Sequence, residues 1–212
     1  MNILAINTCF TKTYVSIKSK NDQVYKTIHS KLKQSENVLQ IVDEALKTTN
    51  QTIKDLDVIA CVIGPGSFTG IRIGASLSKG FCAPFNQIKK ISINSLDLLA
   101  FSYIKKAKSD FWVILNALSG NLFAKKFDKN GKPLTESLLL GQKELDKLSG
   151  IVVGLKEENL DICNDFEDFS SEELLKFAEN KFLNNEFCED FLPLYLRKSQ
   201  AEDELDKKNG NK

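Results

Sequence analysis

One stretch leaves this chain few ways to fold: Val58-Ile59-Ala60-Cys61-Val62-Ile63, then Gly64-Pro65-Gly66-Ser67-Phe68-Thr69-Gly70, then Ile71 through Ala83. The first part is a β-branched apolar run and reads as a strand buried on both faces. The middle is a turn made of glycine and proline. The last part is a helix, with Ser67 or Thr69 placed to cap it. Pro84 cannot continue that helix and marks its end.

Gly70, Gly74 and Ser78 recur every four residues along the helix, with Ala75 beside them. An interior glycine disfavours a helix by about 0.8–1 kcal/mol relative to alanine. Two of them imply that something approaches the helix backbone closely: a neighbouring helix, a ligand or another protein. Ile73, Leu77 and Phe81 form a large apolar face, expected to pack on the sheet.

The glycine turn matches none of three familiar sites. A phosphate-binding P-loop ends in Gly-Lys-Ser/Thr, whereas Gly70 is followed by Ile71. A dinucleotide fingerprint needs a third glycine and an acid about 20 positions on; here Thr69 takes the glycine position and nothing acidic precedes Asp97. A nucleophile elbow needs Gly-x-Ser-x-Gly and a later histidine; the single histidine, His29, comes earlier. On spacing alone the stretch is a tight strand-to-helix turn without a ligand.

Before it, residues 2–7 read as a buried strand, 13–18 as a second and 23–29 as a third, with His29 an exposed strand residue. From Ser35 the apolar residues Val38, Leu39, Ile41, Val42, Ala45 and Leu46 have a helical period. Their arc is wider than one core face requires, which suggests a second apolar contact or a helix buried deeply in its own domain. A short strand at 91–93 follows, and Ser95 caps a helix running to about Lys106. The second half then restarts. Strand, asparagine, turn, strand occurs at Ile3–Asn7 with Tyr14–Ile17, and again at Phe111–Asn116 with Asn121–Phe127. That layout suggests two related lobes. A strand at 151–155 and a helix at about 171–182 complete the second. The chain from Ala201 is almost wholly polar and charged and is expected to be disordered.

A net charge of +1 lacks the basic excess of a protein that grips nucleic acid alone. Five widely spaced cysteines without a C-x-x-C suit a reducing compartment, with Cys61 a core residue. No signal peptide and no run of about 18 apolar residues is visible. A cytoplasmic protein without membrane contact is expected. No metal triad, Cys-His couple or serine with a following histidine is present, so no catalytic, cofactor or metal residues are assigned.

The run Gly64-Pro65-Gly66-Ser67-Phe68-Thr69-Gly70-Ile71-Arg72-Ile73-Gly74 resembles the signature of the TsaB (YeaZ) family, the non-catalytic partners in bacterial threonylcarbamoyl-adenosine modification of tRNA. Ser35-Glu36 and Pro193-Leu194-Tyr195-Leu196-Arg197 also resemble that family. The resemblance implies an α/β actin-like, Hsp70-like fold of two related lobes, the second reduced. Residues 1–108 would be the first lobe with docking helices, 109–200 the second lobe and 201–212 a tail. It implies a scaffold that binds and activates a TsaD-type catalytic subunit, with a TsaE-type ATPase in a larger complex. ATP and metal would sit on those partners, tRNA would bind only through the complex, and the free chain could form a homodimer through the same face. The implied partner-binding residues are Glu36, Leu39, Val42, Asp43, Leu46, Gly70, Ile71, Arg72, Gly74, Ala75, Ser78 and Lys79, beside the signature loop Gly64 to Thr69. Active members of the fold carry an acid at the end of the first strand of each lobe. The matching positions here hold Asn7 and Asn116, amides that are poor magnesium ligands and no general base. They count against the other reading, a small nucleotide-dependent phosphotransferase or ATPase of the same fold. An asparagine at such a place simply bridges turn backbone.

Overall fold

A computed structural model describes residues 1–29, 34–118 and 120–196, with the side chains of 34–36 outside the description. The first sheet contains β1 (Ile3–Asn7), β2 (Lys12–Lys18), β3 (Gln23–His29), β4 (Val58–Gly64) and β5 (Lys89–Asn94), in the order β3-β2-β1-β4-β5. β1 pairs antiparallel with β2 and parallel with β4, in a register that sets Ala5 beside Ala60. The central strands read as unbroken apolar runs because both their faces are covered. Val58, Ala60 and Val62 point into one core, Ile59 and Cys61 into the other. β3 lies at the edge and alternates exposed with half-buried residues, ending on exposed His29.

The second sheet repeats this plan. It contains β6 (Phe111–Asn116), β7 (Leu122–Phe127), β8 (Leu138–Leu140), β9 (Ile151–Leu155) and β10 (Asp165–Glu167), in the order β10-β9-β6-β7-β8. β6 pairs antiparallel with β7 and parallel with β9, as β1 does with β2 and β4. The halves differ in their helices. In the first, α1 (Gln34–Thr48) joins β3 to β4, and α2 (Phe68–Cys82) joins β4 to β5. In the second, a 3-10 segment, Gln142–Lys147, and an irregular loop at 156–164 take those places. Leu145, Leu148, Leu160 and Ile162 from these segments cover Trp112, Ile114 and Val152. This is an α/β architecture of two related lobes with the second reduced, as expected from the signature and the repeated strand layout.

α3 (Ser95–Tyr103) and α4 (Ser171–Leu183) lie between the sheets. Leu96, Leu99, Leu174 and Ala178 from them join Ala5 and Val62 to Val113 and Phe123 in one continuous core. α4 begins with a capping box in which Ser170 Oγ accepts from the Glu173 N–H. It packs on the first sheet: the Ser171 hydroxyl donates to the Lys26 carbonyl at 2.8 Å, and Ser16 donates to the Ser171 carbonyl. The chain then returns along the first lobe as a strap. The Cys188 N–H donates to the Lys90 carbonyl at 2.9 Å and the Leu194 N–H to the Ile63 carbonyl at 2.8 Å. Phe191 is fully buried beneath α1 and α2.

Three boundaries differ from the sequence reading. α3 is capped by Asn94, whose Oδ1 accepts from the Leu96 N–H at 2.8 Å, and not by Ser95, which is already helical and buried. β5 extends beyond 91–93 to Lys89 and Asn94, and α3 ends at Tyr103. β8 and β10 have three residues each, too few to show a period. Arg197 and the tail 201–212 lie outside the described residues.

Candidate functional site

The glycine turn closes on the turn between β1 and β2. The Ser67 N–H donates to the Cys9 carbonyl at 2.9 Å, and Ser67 Oγ caps α2 by accepting from the Gly70 N–H at 3.2 Å. The Thr8 hydroxyl donates to the Gly70 carbonyl at 2.6 Å. A Cβ on Gly70 would stand 1.9 Å from the Thr8 carbonyl oxygen, and one on Gly74 would stand 2.6 Å from Thr8 Oγ1 and 3.2 Å from Cys61 Sγ. Something does approach the α2 backbone closely, and it is the chain's own first turn.

This geometry corrects the expected orientation of both helices. Gly70, Ile71, Gly74, Ala75 and Ser78 face inward; Ala75 is 2% exposed and Ser78 fully buried. Small residues are needed there because α2 sits down on Thr8 and β4. Ile73, Leu77 and Phe81, expected on the sheet, are half-buried on the flank of the helix. On α1, Val42 and Leu46 belong to the core with Val38 and Ala45, so the wide apolar arc is buried within the domain. Leu39, 48% exposed, and exposed Asp43 remain at the surface. The side chain of Glu36 lies outside the described residues.

The outward surface therefore keeps Leu39, Asp43 and Arg72 of the expected set and adds residues that the set lacked. α2 presents Thr69, Arg72, Ser76 and Gly80, with Ile73 and Leu77 beside them. On α1, Glu44 pairs with Lys26 of β3 at 3.7 Å, and Leu39 and Asp43 lie further round the helix on its exposed surface. The strap borders the far side of α2. Lys79 pairs with Asp190 at 2.7 Å, and its hydrogen bond holds the Asp190 carboxyl below the usual range. Phe68 stacks on Tyr195 with centroids 4.6 Å apart, and the Arg72 guanidinium lies 4.1 Å from the Phe68 centroid.

A second set of polar groups lies where the lobes meet. Asn7 Oδ1 accepts from the Cys9 N–H at 2.8 Å, and Asn116 Oδ1 accepts from the Leu118 N–H at 2.8 Å. The two asparagines make the same turn in the two halves, with Asn7 buried and Asn116 exposed. Glu157, after β9, crosses between the lobes: it pairs with Lys12 at 2.9 Å and accepts from the Thr11 hydroxyl. Its neighbour Glu158 accepts from the Asn116 N–H at 2.8 Å, and burial raises its carboxyl to about 7. Burial also pushes the Cys61 thiol to about 12, as suits a core residue. Among the described residues no group of three His, Cys, Asp or Glu could hold a metal ion, and no helix is long and apolar enough to cross a membrane.

The sequence reading missed Glu157, Glu158 and the strap contacts of Tyr195. A signal existed for the first two. β9 repeats β4, so Lys156-Glu157-Glu158 occupies in the second lobe the place of the glycine loop in the first.

A family model described as "TsaD: tRNA N6-adenosine threonylcarbamoyltransferase" matches residues 29–160, more than half of the chain. The chain is 28% identical over 187 residues to the tRNA threonylcarbamoyladenosine biosynthesis protein TsaB of Buchnera aphidicola subsp. Schizaphis graminum, covering 85% of this chain and 87% of that one. It is 28% identical over 231 residues to the protein of the same name from Escherichia coli K12, covering 95% and 96%. Among solved structures it resembles YeaZ from Pseudomonas aeruginosa with a TM-score of 0.76 at 17% identity, covering 92% of this chain and 99% of that one. That likeness shows a shared fold.

Proposed function

The chain belongs to the TsaB/YeaZ family of TsaD-type domains, and from that membership we propose that it is a non-catalytic subunit of tRNA threonylcarbamoyladenosine synthesis. It binds and activates a TsaD-type catalytic subunit, with a TsaE-type ATPase joining the larger complex. Nucleotide and metal belong to those partners, and tRNA is reached through the complex. The free chain would use the same face for a homodimer.

The observation that carries this reading is the outward surface of α1 and α2. These two helices have no counterpart in the second lobe, and they carry exposed Leu39 on α1 and half-buried Ile73 and Leu77 on α2. Apolar residues set among polar ones on an outward surface suit an interface that excludes water at its centre. A partner built on the same fold presents a helix pair of its own, and two pairs make a four-helix contact. The competing phosphotransferase reading is disfavoured by Asn7 and Asn116. Each amide oxygen is already held by its own turn, and neither side chain ionises. Across the gap between the lobes, Glu157 sets a carboxylate against Lys12, the cation a phosphate would otherwise find.

The test is complementation. Cells depleted of this chain should lose threonylcarbamoyl-adenosine from bulk tRNA, read by mass spectrometry. The wild-type gene should restore it, and Ile73→Arg, placed at the centre of the face, should not. Unchanged modification after full depletion would sink the assignment. Full rescue by Ile73→Arg would move the partner elsewhere on the surface.

A further inference from the structure

We propose that Arg72 is a preorganised carboxylate-binding residue of the docking face, gripping an aspartate or glutamate of the partner protein; this rests on the docking surface proposed above. The guanidinium lies over Phe68 at 4.1 Å and within 5.8 Å of the Tyr195 centroid. Its Nε–H donates to the Tyr195 hydroxyl at 3.1 Å. The two rings are stacked on each other at 4.6 Å. Phe68 opens α2 and Tyr195 comes from the strap, so elements more than a hundred residues apart in sequence hold this one side chain.

Among the described residues the two terminal nitrogens of Arg72 are uncommitted and it forms no ion pair, whereas Lys79, two turns along α2, is paired with Asp190. A guanidinium fixed in this way offers the planar fork that a carboxylate accepts with both oxygens. Clamping it beforehand removes much of the entropy that an arginine loses on binding. A lysine would supply the charge without the fork or the stacking.

The surroundings favour a carboxylate over nucleic acid. A chain that grips phosphate backbone shows a stripe of cations. Here Lys79 on the same helix is neutralised by Asp190, and the net charge of the chain is +1. Arg72, the one cation of α2 without an ion pair among the described residues, matches one acid on a folded partner.

The experiment is calorimetric titration of the full-length chain against the purified TsaD-type subunit of the same cell, over a range of NaCl concentrations. Thermal melts of each variant serve as controls. Arg72→Gln should weaken binding by about tenfold or more and flatten its salt dependence. Arg72→Lys should recover the salt dependence but not the affinity. Tyr195→Phe, which keeps the ring and loses the hydroxyl, should fall between wild type and Arg72→Gln, and it provides the test should either Arg72 variant melt early. If Arg72→Gln or Tyr195→Phe binds like wild type with the same salt slope while Ile73→Arg abolishes binding, Arg72 is not the contact and the docking face stands. If Ile73→Arg also binds normally, both fail.

Discussion

Gly70→Ala should destabilise this protein although it replaces a helical glycine with the best helix former. In an open helix the change is worth about 1 kcal/mol of added stability. At position 70 the new methyl would lie 1.9 Å from the Thr8 carbonyl oxygen, about half an ordinary contact distance, and the atom in the way is backbone. Either α2 lifts or the turn between β1 and β2 moves. Overpacking of this kind disfavours the fold by about 1–3 kcal/mol. The shift also breaks the buried Thr8 hydroxyl bond to the Gly70 carbonyl, worth about 1–3 kcal/mol more. Set against the helical gain, the net loss is about 1–5 kcal/mol. For a chain of this size that lowers Tm by roughly 2–20 °C. Gly80→Ala is the internal control. It lies on the same helix, is exposed, and an added Cβ meets nothing within 4 Å. It should gain up to about 1 kcal/mol and raise Tm by a few degrees. Urea unfolding and thermal melts of the two variants give the comparison. If Gly70→Ala melts at or above the wild type, α2 does not sit on Thr8 and the inward orientation of its small residues is wrong.

Ala75→Arg should fail to fold, because residue 75 is 2% exposed and a guanidinium there has no water and no acid to meet; Ile73→Arg should melt close to wild type, as circular dichroism would show. Lys12 and Glu157, 19% and 17% exposed, should show a coupling of about 1–3 kcal/mol in a double-mutant cycle with Lys12→Met and Glu157→Gln, read by urea unfolding. Burial raises the Glu158 carboxyl from 4.5 to about 7, so its contribution to stability is complete below pH 4.5 and is lost as pH rises through about 7. Glu158→Gln should flatten the stability–pH profile across that window, and an unchanged slope would place the titrating group elsewhere.

Much of the fold was legible because its central strands are long and apolar on both faces. Val58–Ile63 announces a buried strand, and the repeated asparagine at the end of β1 and β6 announces two lobes. The orientation of α2 was not legible. Glycine spacing shows that something comes close to the backbone without saying whether it belongs to the same chain. Ile73, Leu77 and Phe81 then look like the core-facing stripe because they are the largest apolar residues on the helix. The structure inverts that reading: β1 and β4 already fill the space beneath, so small residues face in and large ones lie on the flank. The clamp on Arg72 was invisible for a different reason. Tyr195 meets Phe68 through a return of the chain that no local pattern encodes. Glu157 is similar, since its partners Thr11 and Lys12 lie in the other lobe.

The strap and α4 also govern how the molecule is made. A ribosome delivers the first lobe's strands and α1 to α3 early, but one face of that sheet is closed by Ser171 to Leu183 and its far edge by Cys188 to Leu194. Until those last segments leave the exit tunnel, Ala5, Tyr14 and Val62 have an incomplete cover. Vectorial synthesis therefore cannot finish the N-terminal half before the C-terminal half, as it does for chains built of sequential domains. A nascent chain of this protein carries an open apolar sheet for most of its synthesis, which is a standing requirement for chaperone protection during translation. It also means that a premature stop anywhere before Phe191 yields a product whose first lobe is unfinished although all its own strands have been made.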